Sequence, residues 1–262
     1  MGSRSFCPPP PPEWPAGAAN GDGTGGHYVV ACWPGERRKG GAGDEILAAH
    51  LDALGRVPHD LAQVTLCVPE CPGRPAAFDA LMRSLPARIQ KARVRVLERP
   101  NRGLSYGSWS DAVTVWRGEF PWHFLMEDDF VLCRPGFDRE LASLAGGGPA
   151  AVCGGVSPCG TYAEVSNMAA SDAVMQAVWR RSGGVLPHTP GEGYESDRAQ
   201  SMFGQAFWRA GVRLVDLRGH AGVSFGEGGT RREWRHPSGW MMVCVEHWLE
   251  AGGDLGGIQA HG

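Results

Sequence analysis

Residues 122–131 read WHFLMEDDFV, Trp122 to Val131, and this stretch decides how the chain is laid out. The four residues from His123 to Met126 have the length and apolar bias of a short buried strand. Three carboxylates follow without a break, Glu127, Asp128 and Asp129, and Phe130, Val131 and Leu132 then resume the apolar run. Burying an unpartnered carboxylate costs on the order of several kcal/mol, so acids set between two buried segments recruit a cation, a hydrogen-bond network or a proton. Carboxylate oxygens at the end of a sheet strand suit Mg2+ or Mn2+, hard ions that prefer oxygen. A divalent ion held there can in turn hold a diphosphate. The competing reading is an acidic turn that faces water and has no chemical task.

Upstream, Tyr28–Cys32 (YVVAC), Val64–Val68 (VTLCV) and Val94–Leu97 read as three more short strands. Between them lie two helical patterns. The first is capped by Asp44, puts Leu47, Leu51 and Leu54 on one face and stops at Gly55. The second carries Phe78, Leu81, Met82 and Leu85. The turn-rich NRGLSYG segment, Asn101–Gly107, leads into a helix with Trp109, Ala112, Val113 and Trp116 on one face. Tyr106 and Trp109 read as packing residues. Strands alternating with helices at this spacing predict an α/β fold with a mostly parallel sheet flanked by helices. Ligands of such sheets bind outside the carboxyl ends of the strands. The loops after Cys32, Leu97 and Met126 then share one rim, which gathers Glu36, Arg37, Asn101, Arg102 and the acidic triplet.

Further on, Ala150–Cys153 and Val212–Leu217 read as strands, and a helix capped by Ser196 runs to Gly211 with Ala199, Met202, Phe203, Ala206, Phe207 and Ala210 in a stripe. Residues 160–195 have mixed character, 219–239 read as a mobile loop, and Trp240–Leu249 as a last amphipathic helix. The expected organisation is a Pro- and Gly-rich tail over 1–26, one domain over 27–250 (27–132 binding nucleotide, 133–250 the acceptor), and a tail over 251–262.

A net charge of −3 gives no bulk electrostatic reason to bind nucleic acid or an anionic membrane. Eight cysteines without a CxxC pair, and no apolar signal core at the start, predict a reduced, cytoplasmic protein. No apolar run is long enough for a transmembrane helix.

The order of these parts resembles the GT-A fold of nucleotide-sugar glycosyltransferases, in the manner of family 2. NRGLSYGSW is similar to that family's Asn-x-Gly segment, FLMEDDF to its variant DXD motif, and the helix ending at Gly211 before VRLVDL to its helix-Gly-strand unit. The resemblance spans roughly residues 27–225. It implies a hexosyl-type transferase that uses Mn2+ or Mg2+, a UDP- or GDP-linked sugar donor, and a glycan, lipid-linked or small-molecule acceptor. Asp129 would be the direct metal ligand with Asp128 second, and Glu127 would face the ribose or a water. The loop after the first strand and the Asn101–Arg102 turn would hold base and ribose. An inverting member needs a general base before the late helix. Glu195 and Asp197 stand there, with Glu192 behind them, although Ser196 separates acids that are usually adjacent. His220 stands where some relatives place a third metal ligand. Arg231 and Arg232 lie in a Gly-rich loop that can close over a diphosphate.

Two other readings compete. A sugar-nucleotidyltransferase shares the layout, but GERRKGGAG lacks the usual spacing of that class's phosphate loop. A degenerate domain would bind nucleotide or glycan without turnover.

Overall fold

In a computed structural model of the protein, the structure describes residues 24–35, 41–132, 134–154, 167–186, 196–217 and 242–244. Strand β1 (His27–Ala31) lies in the sheet interior with all five residues buried. It pairs in parallel with β2 (Gln63–Pro69) on one side and β5 (Trp122–Glu127) on the other. Beyond β2, β4 (Ala92–Arg99) adds in parallel, and the two-residue β3 (Arg88–Ile89) folds back antiparallel onto its start. On the other flank β8 (Asn167–Ser171) runs antiparallel to β5 and to β7 (Ala150–Cys153), and β9 (Arg213–Asp216) lies parallel to β7. The order β3-β4-β2-β1-β5-β8-β7-β9 is the mostly parallel α/β sheet that the alternation predicts.

Period-two alternation sorts the strand residues to two faces. Tyr28, Val30, Leu66 and Phe124 pack under α1 (Gly43–Arg56), α2 (Ala76–Ser84) and α4 (Phe137–Ala145). Val29, Ala31, Cys67 and Leu125 pack under α3 (Leu104–Trp116), α5 (Asp172–Arg181) and α6 (Ser196–Arg209). Each large apolar side chain so buried stabilises the fold by about 1.5–3 kcal/mol. Burial also pushes the Cys67 and Cys153 thiols up, so both behave as core residues.

Four local expectations are corrected. Asp44 makes no N-cap; α1 starts at Gly43 after Ala42, with Asp44 in its first turn. Gly55 does not stop α1, which continues to Arg56 because Gln90 Nε2 donates to the carbonyls of Leu54 (3.1 Å), Gly55 (3.3 Å) and Val57 (2.8 Å). Gln90 sits at φ 50 in the β3–β4 turn, so a short hairpin caps a helix from outside. The mixed stretch 160–195 contains β8 and α5, whose first-turn N–H at Val174 is capped by Ser171 Oγ. Met242–Cys244 is a strand, β10, pairing antiparallel with β6 (Phe130–Leu132), where a helix over Trp240–Leu249 was expected.

A polar network fastens the amino edge of the sheet. His123 Nε2 lies 2.9 Å from Asp172 Oδ1, His27 Nδ1 3.2 Å from His123 Nδ1, and His27 Nε2 2.8 Å from Thr65 Oγ1. Burial first, and His123 second, hold His27 well below the usual imidazole range. Between its folded value and about pH 6.5 the unfolded chain therefore binds the proton that the folded chain refuses, and stability rises with pH. We expect a melting temperature that is level above about pH 7 and falls as pH drops from about 6.5, with part of that slope removed in His27→Gln. An unchanged slope in that variant would show that His27 stays charged in the fold.

Candidate functional site

The carboxyl ends of β1, β2, β4, β5, β7 and β9 open on one rim, and the acidic triplet sits on it directly after β5. Asp128 and Asp129 are 1% and 8% exposed, and Glu127 is half-buried. The water-facing turn is thereby excluded.

The turn is gripped from three directions. The Asp128 N–H donates to Ala31 O at 3.2 Å, and the Trp33 N–H donates to Asp128 Oδ2 at 2.7 Å, so β1 and the loop after it hold both backbone and side chain. From α1, buried His50 places Nδ1 3.0 Å from the Asp128 carbonyl and Nε2 3.0 Å from Tyr28 Oη. A carbonyl only accepts, so Nδ1 carries the proton and Nε2 accepts from the tyrosine. Burial drives the His50 pKa down to about 4 and keeps the ring neutral at physiological pH. From α3, Ser105 Oγ bonds the Glu127 carboxylate, and Trp109 Nε1 donates to Met126 O at 3.1 Å.

The second rim segment, 99–107, is equally constrained. Arg99 is 3% exposed, and its guanidinium reaches Asp111 Oδ2 (2.7 Å), the Arg102 carbonyl (2.5 Å) and Ser108 Oγ (3.4 Å). Gly103 at φ 70 and Leu104 at φ 53 are both left-handed, and Leu104 bears a strain of about 1–3 kcal/mol there. A Cβ on Gly107 would stand 2.0 Å from Arg102 O, and one on Gly43 would stand 2.2 Å from Trp33 O. These two glycines let the rim loops close onto the first turns of α3 and α1.

The rim thus brings together Glu127, Asp128, Asp129, Asn101 and Arg102. Arg102 is half-exposed, with Nη2 3.6 Å from Asp111 Oδ1. Asp197 lies in the first turn of α6. That helix delivers the chain to the amino edge at Arg213 and packs Phe203 on Tyr106 (5.2 Å between ring centroids) and Trp109 (5.6 Å), so its first turn is at the rim side. Tyr106 and Trp109 are core residues as expected. Glu36, Arg37, Glu192, Glu195, His220, Arg231 and Arg232 lie outside the described residues, as does the Asp197 side chain. Among the described residues no three His, Cys, Asp or Glu side chains form a group that holds a metal by itself.

Trp33, His50, Ser105, Arg99 and Asp111 were not anticipated. His50 had a legible signal: it stands four residues after Ile46 and four before Leu54 on the buried stripe of α1. Trp33, 39% exposed beside the acidic turn, had none.

No family model and no curated protein matches the chain. Among solved structures it is similar to the mannosyltransferase PcManGT from Pyrobaculum calidifontis in complex with GDP-Man and Mn2+. The TM-score is 0.50 at 12% identity, over 78% of this chain and 58% of that one. The chain therefore spans under two thirds of that protein's length. Looser alignments reach 4-diphosphocytidyl-2C-methyl-D-erythritolsynthase from Anaerococcus prevotii (TM-score 0.44, 13% identity, 76% and 89% covered). They also reach TarS of S. aureus (0.45, 10%, 73% and 35%). The fold is GT-A-like.

The grip on the acidic turn is testable by itself. His50→Phe fills similar space but removes the bonds to Asp128 O and Tyr28 Oη, at a cost of about 0.5–1.5 kcal/mol for each bond lost. Denaturant titration should show that loss. Hydrogen exchange should speed up at the Asp128 and Trp33 amides before it does so in β2. Parental exchange at both amides would remove His50 from the turn's support.

Proposed function

We propose that this chain is a metal-dependent glycosyltransferase that moves a sugar from a UDP- or GDP-linked donor to an acceptor hydroxyl with inversion. The observation that carries the reading is the buried Asp128–Asp129 pair, fastened to the loop after β1 on the ligand-binding rim. Adjacent buried carboxylates call for a cation. Their donor set is oxygen alone, which fits Mn2+ or Mg2+ and not a soft metal. Such ions are held by one or two carboxylates together with substrate phosphates and water, so a complete protein cage is not required. PcManGT, of similar fold, carries Mn2+ and GDP-Man.

In this reading Asp129 and Asp128 hold the ion, with His220 as a further ligand. The ion when bound offsets negative charge on the departing diphosphate. Glu36, Arg37, Asn101 and Arg102 orient base and ribose, and Glu127, kept in place by Ser105, faces the ribose. Arg231 and Arg232 lie over the diphosphate and exclude water. The acceptor oxygen bonds to the anomeric carbon as the bond from that carbon to the phosphate oxygen breaks. The electron pair leaves with the nucleoside diphosphate, and the acceptor proton passes to Asp197 or Glu195.

Donor binding is the first test. A UDP- or GDP-sugar at about 100 times its Kd should add roughly 2.7 kcal/mol of stability, only with Mn2+ or Mg2+ present. Asp129→Asn should abolish that gain, while Asp52→Asn, on the exposed face of α1, should keep it. Equal shifts in EDTA would sink the metal-bridged reading. Release of pyrophosphate in place of nucleoside diphosphate would move the chain to the nucleotidyltransferases.

The general base is tested separately. Asp197→Asn or Glu195→Gln should lower turnover about 10²–10⁴-fold with donor affinity kept, because the base touches the acceptor alone. An acid that only complements the helix dipole would instead cost about 0.3–1 kcal/mol of stability and leave turnover unchanged. Near-parental turnover in both variants would leave Glu192 or a retaining course.

A further inference from the structure

A net charge of −3 conceals a local concentration of cations at the far edge of the sheet. From residue 80 to residue 97 the chain carries Arg83, Arg88, Lys91, Arg93 and Arg95 and no acid. Lys91, in the β3–β4 turn, pairs with Asp60, which Arg139 shares. Arg88, Arg93 and Arg95 are exposed and have no carboxylate within ion-pair distance among the described residues.

The register puts these three side chains on one face. Arg88 lies directly across from Arg93 in the antiparallel hairpin, and Arg95 is two residues further along the same strand. The face is the one that α3 covers further along, where Arg99 meets Asp111 and Ser108. Like charges directly opposite each other disfavour a hairpin, and Arg88 Nη1 meets a backbone acceptor, the Lys91 carbonyl at 2.7 Å, in place of a carboxylate. Arginine at an edge also discourages pairing with a second copy of the same edge. The row therefore favours an anionic partner over self-association. The cations sit on an outer hairpin and not in a groove. On the α3 side, Val115 (53%) is a large exposed apolar side chain, while Val96 (43%) points to the opposite face of β4. An exposed row of cations on the outermost hairpin of the sheet matches a broad anionic surface better than a shaped pocket.

We propose that the β3–β4 edge docks this protein on an anionic phospholipid bilayer through Arg88, Arg93 and Arg95. The contact is peripheral, and no described helix is long and apolar enough to cross a membrane. It is independent of the glycosyltransferase reading, since none of these residues lies on the rim.

The test is sedimentation of the full chain with vesicles of phosphatidylglycerol and phosphatidylcholine, against vesicles of phosphatidylcholine alone. Binding is expected only to the anionic vesicles and is expected to vanish at 1 M salt, where the screening length is about 3 Å. Arg93→Gln/Arg95→Gln should weaken partitioning roughly fivefold for each charge removed. The double Arg→Lys variant should restore it, and Arg181→Gln, exposed on α5, should leave it unchanged. An unaltered melting temperature in the double variant separates lost docking from lost folding. No binding to anionic vesicles, equal binding to neutral ones, or a double variant that partitions like the parent would overturn the proposal. So would a duplex DNA probe that binds through these arginines while the vesicles do not.

Discussion

The bond from the Trp33 amide to Asp128 Oδ2, 2.7 Å long, is the constraint on which the site depends. It ties the turn after β5 to the loop after β1, whose strands are adjacent in the sheet. Because the same carboxylate belongs to a buried residue, its orientation is fixed before any ligand arrives. His50 completes the grip from below by bonding the Asp128 carbonyl, and the neutral ring adds no charge to a site that must balance two acids. A preorganised, water-poor carboxylate pair acts on a cation more strongly than an exposed pair would, since little solvent screens it.

The rest of the rim is packed closely beside that pair. Gly43 and Gly107 allow the loops to press onto two helix starts, where any Cβ would meet backbone. Arg99, buried and shared among Asp111, Ser108 and the Arg102 carbonyl, holds the second loop from inside. Only Arg102, half-exposed and loosely held by Asp111, keeps a cationic head at the surface of that loop. The loop thus separates roles: Arg99 fixes the backbone from inside, and Arg102 stays at the surface.

Much of this was legible in the sequence, and the limits have physical causes. YVVAC, VTLCV and AAVC are apolar without alternation because strands buried on both faces need no polar side. The acids after Met126 stood out because burial conflicts with charge. β8 escaped notice because NMAAS is short and built from small residues that bury well but carry no periodic signal. Gln90 as a cap for α1 was out of reach, because 33 to 36 residues of chain separate donor and acceptors and no local rule links them. Trp33 was invisible for a related reason: its backbone amide does the work, and backbone groups leave no mark on residue identity.

The two ends of the sheet divide the labour. The carboxyl ends gather acids, strained turns and glycines that tolerate close approach, all features that cost stability. The amino edge gathers the His27–His123–Asp172 chain and the Gln90 cap, which satisfy buried groups and fasten β1, β2, β5 and α5 together. A network at one end can offset strain at the other because the central strands run the length of the sheet and are packed on both faces. The consequence is near-additivity: a change at His27 and one at Asp129 share no partner, so their effects on stability should sum. Changes at His50 and Asp129 meet in one turn and should not. The cationic β3–β4 hairpin belongs to neither set, since among the described residues Arg88, Arg93 and Arg95 make no ion pair. Changes at these arginines share no partner with either set, so their effects on stability should add to both.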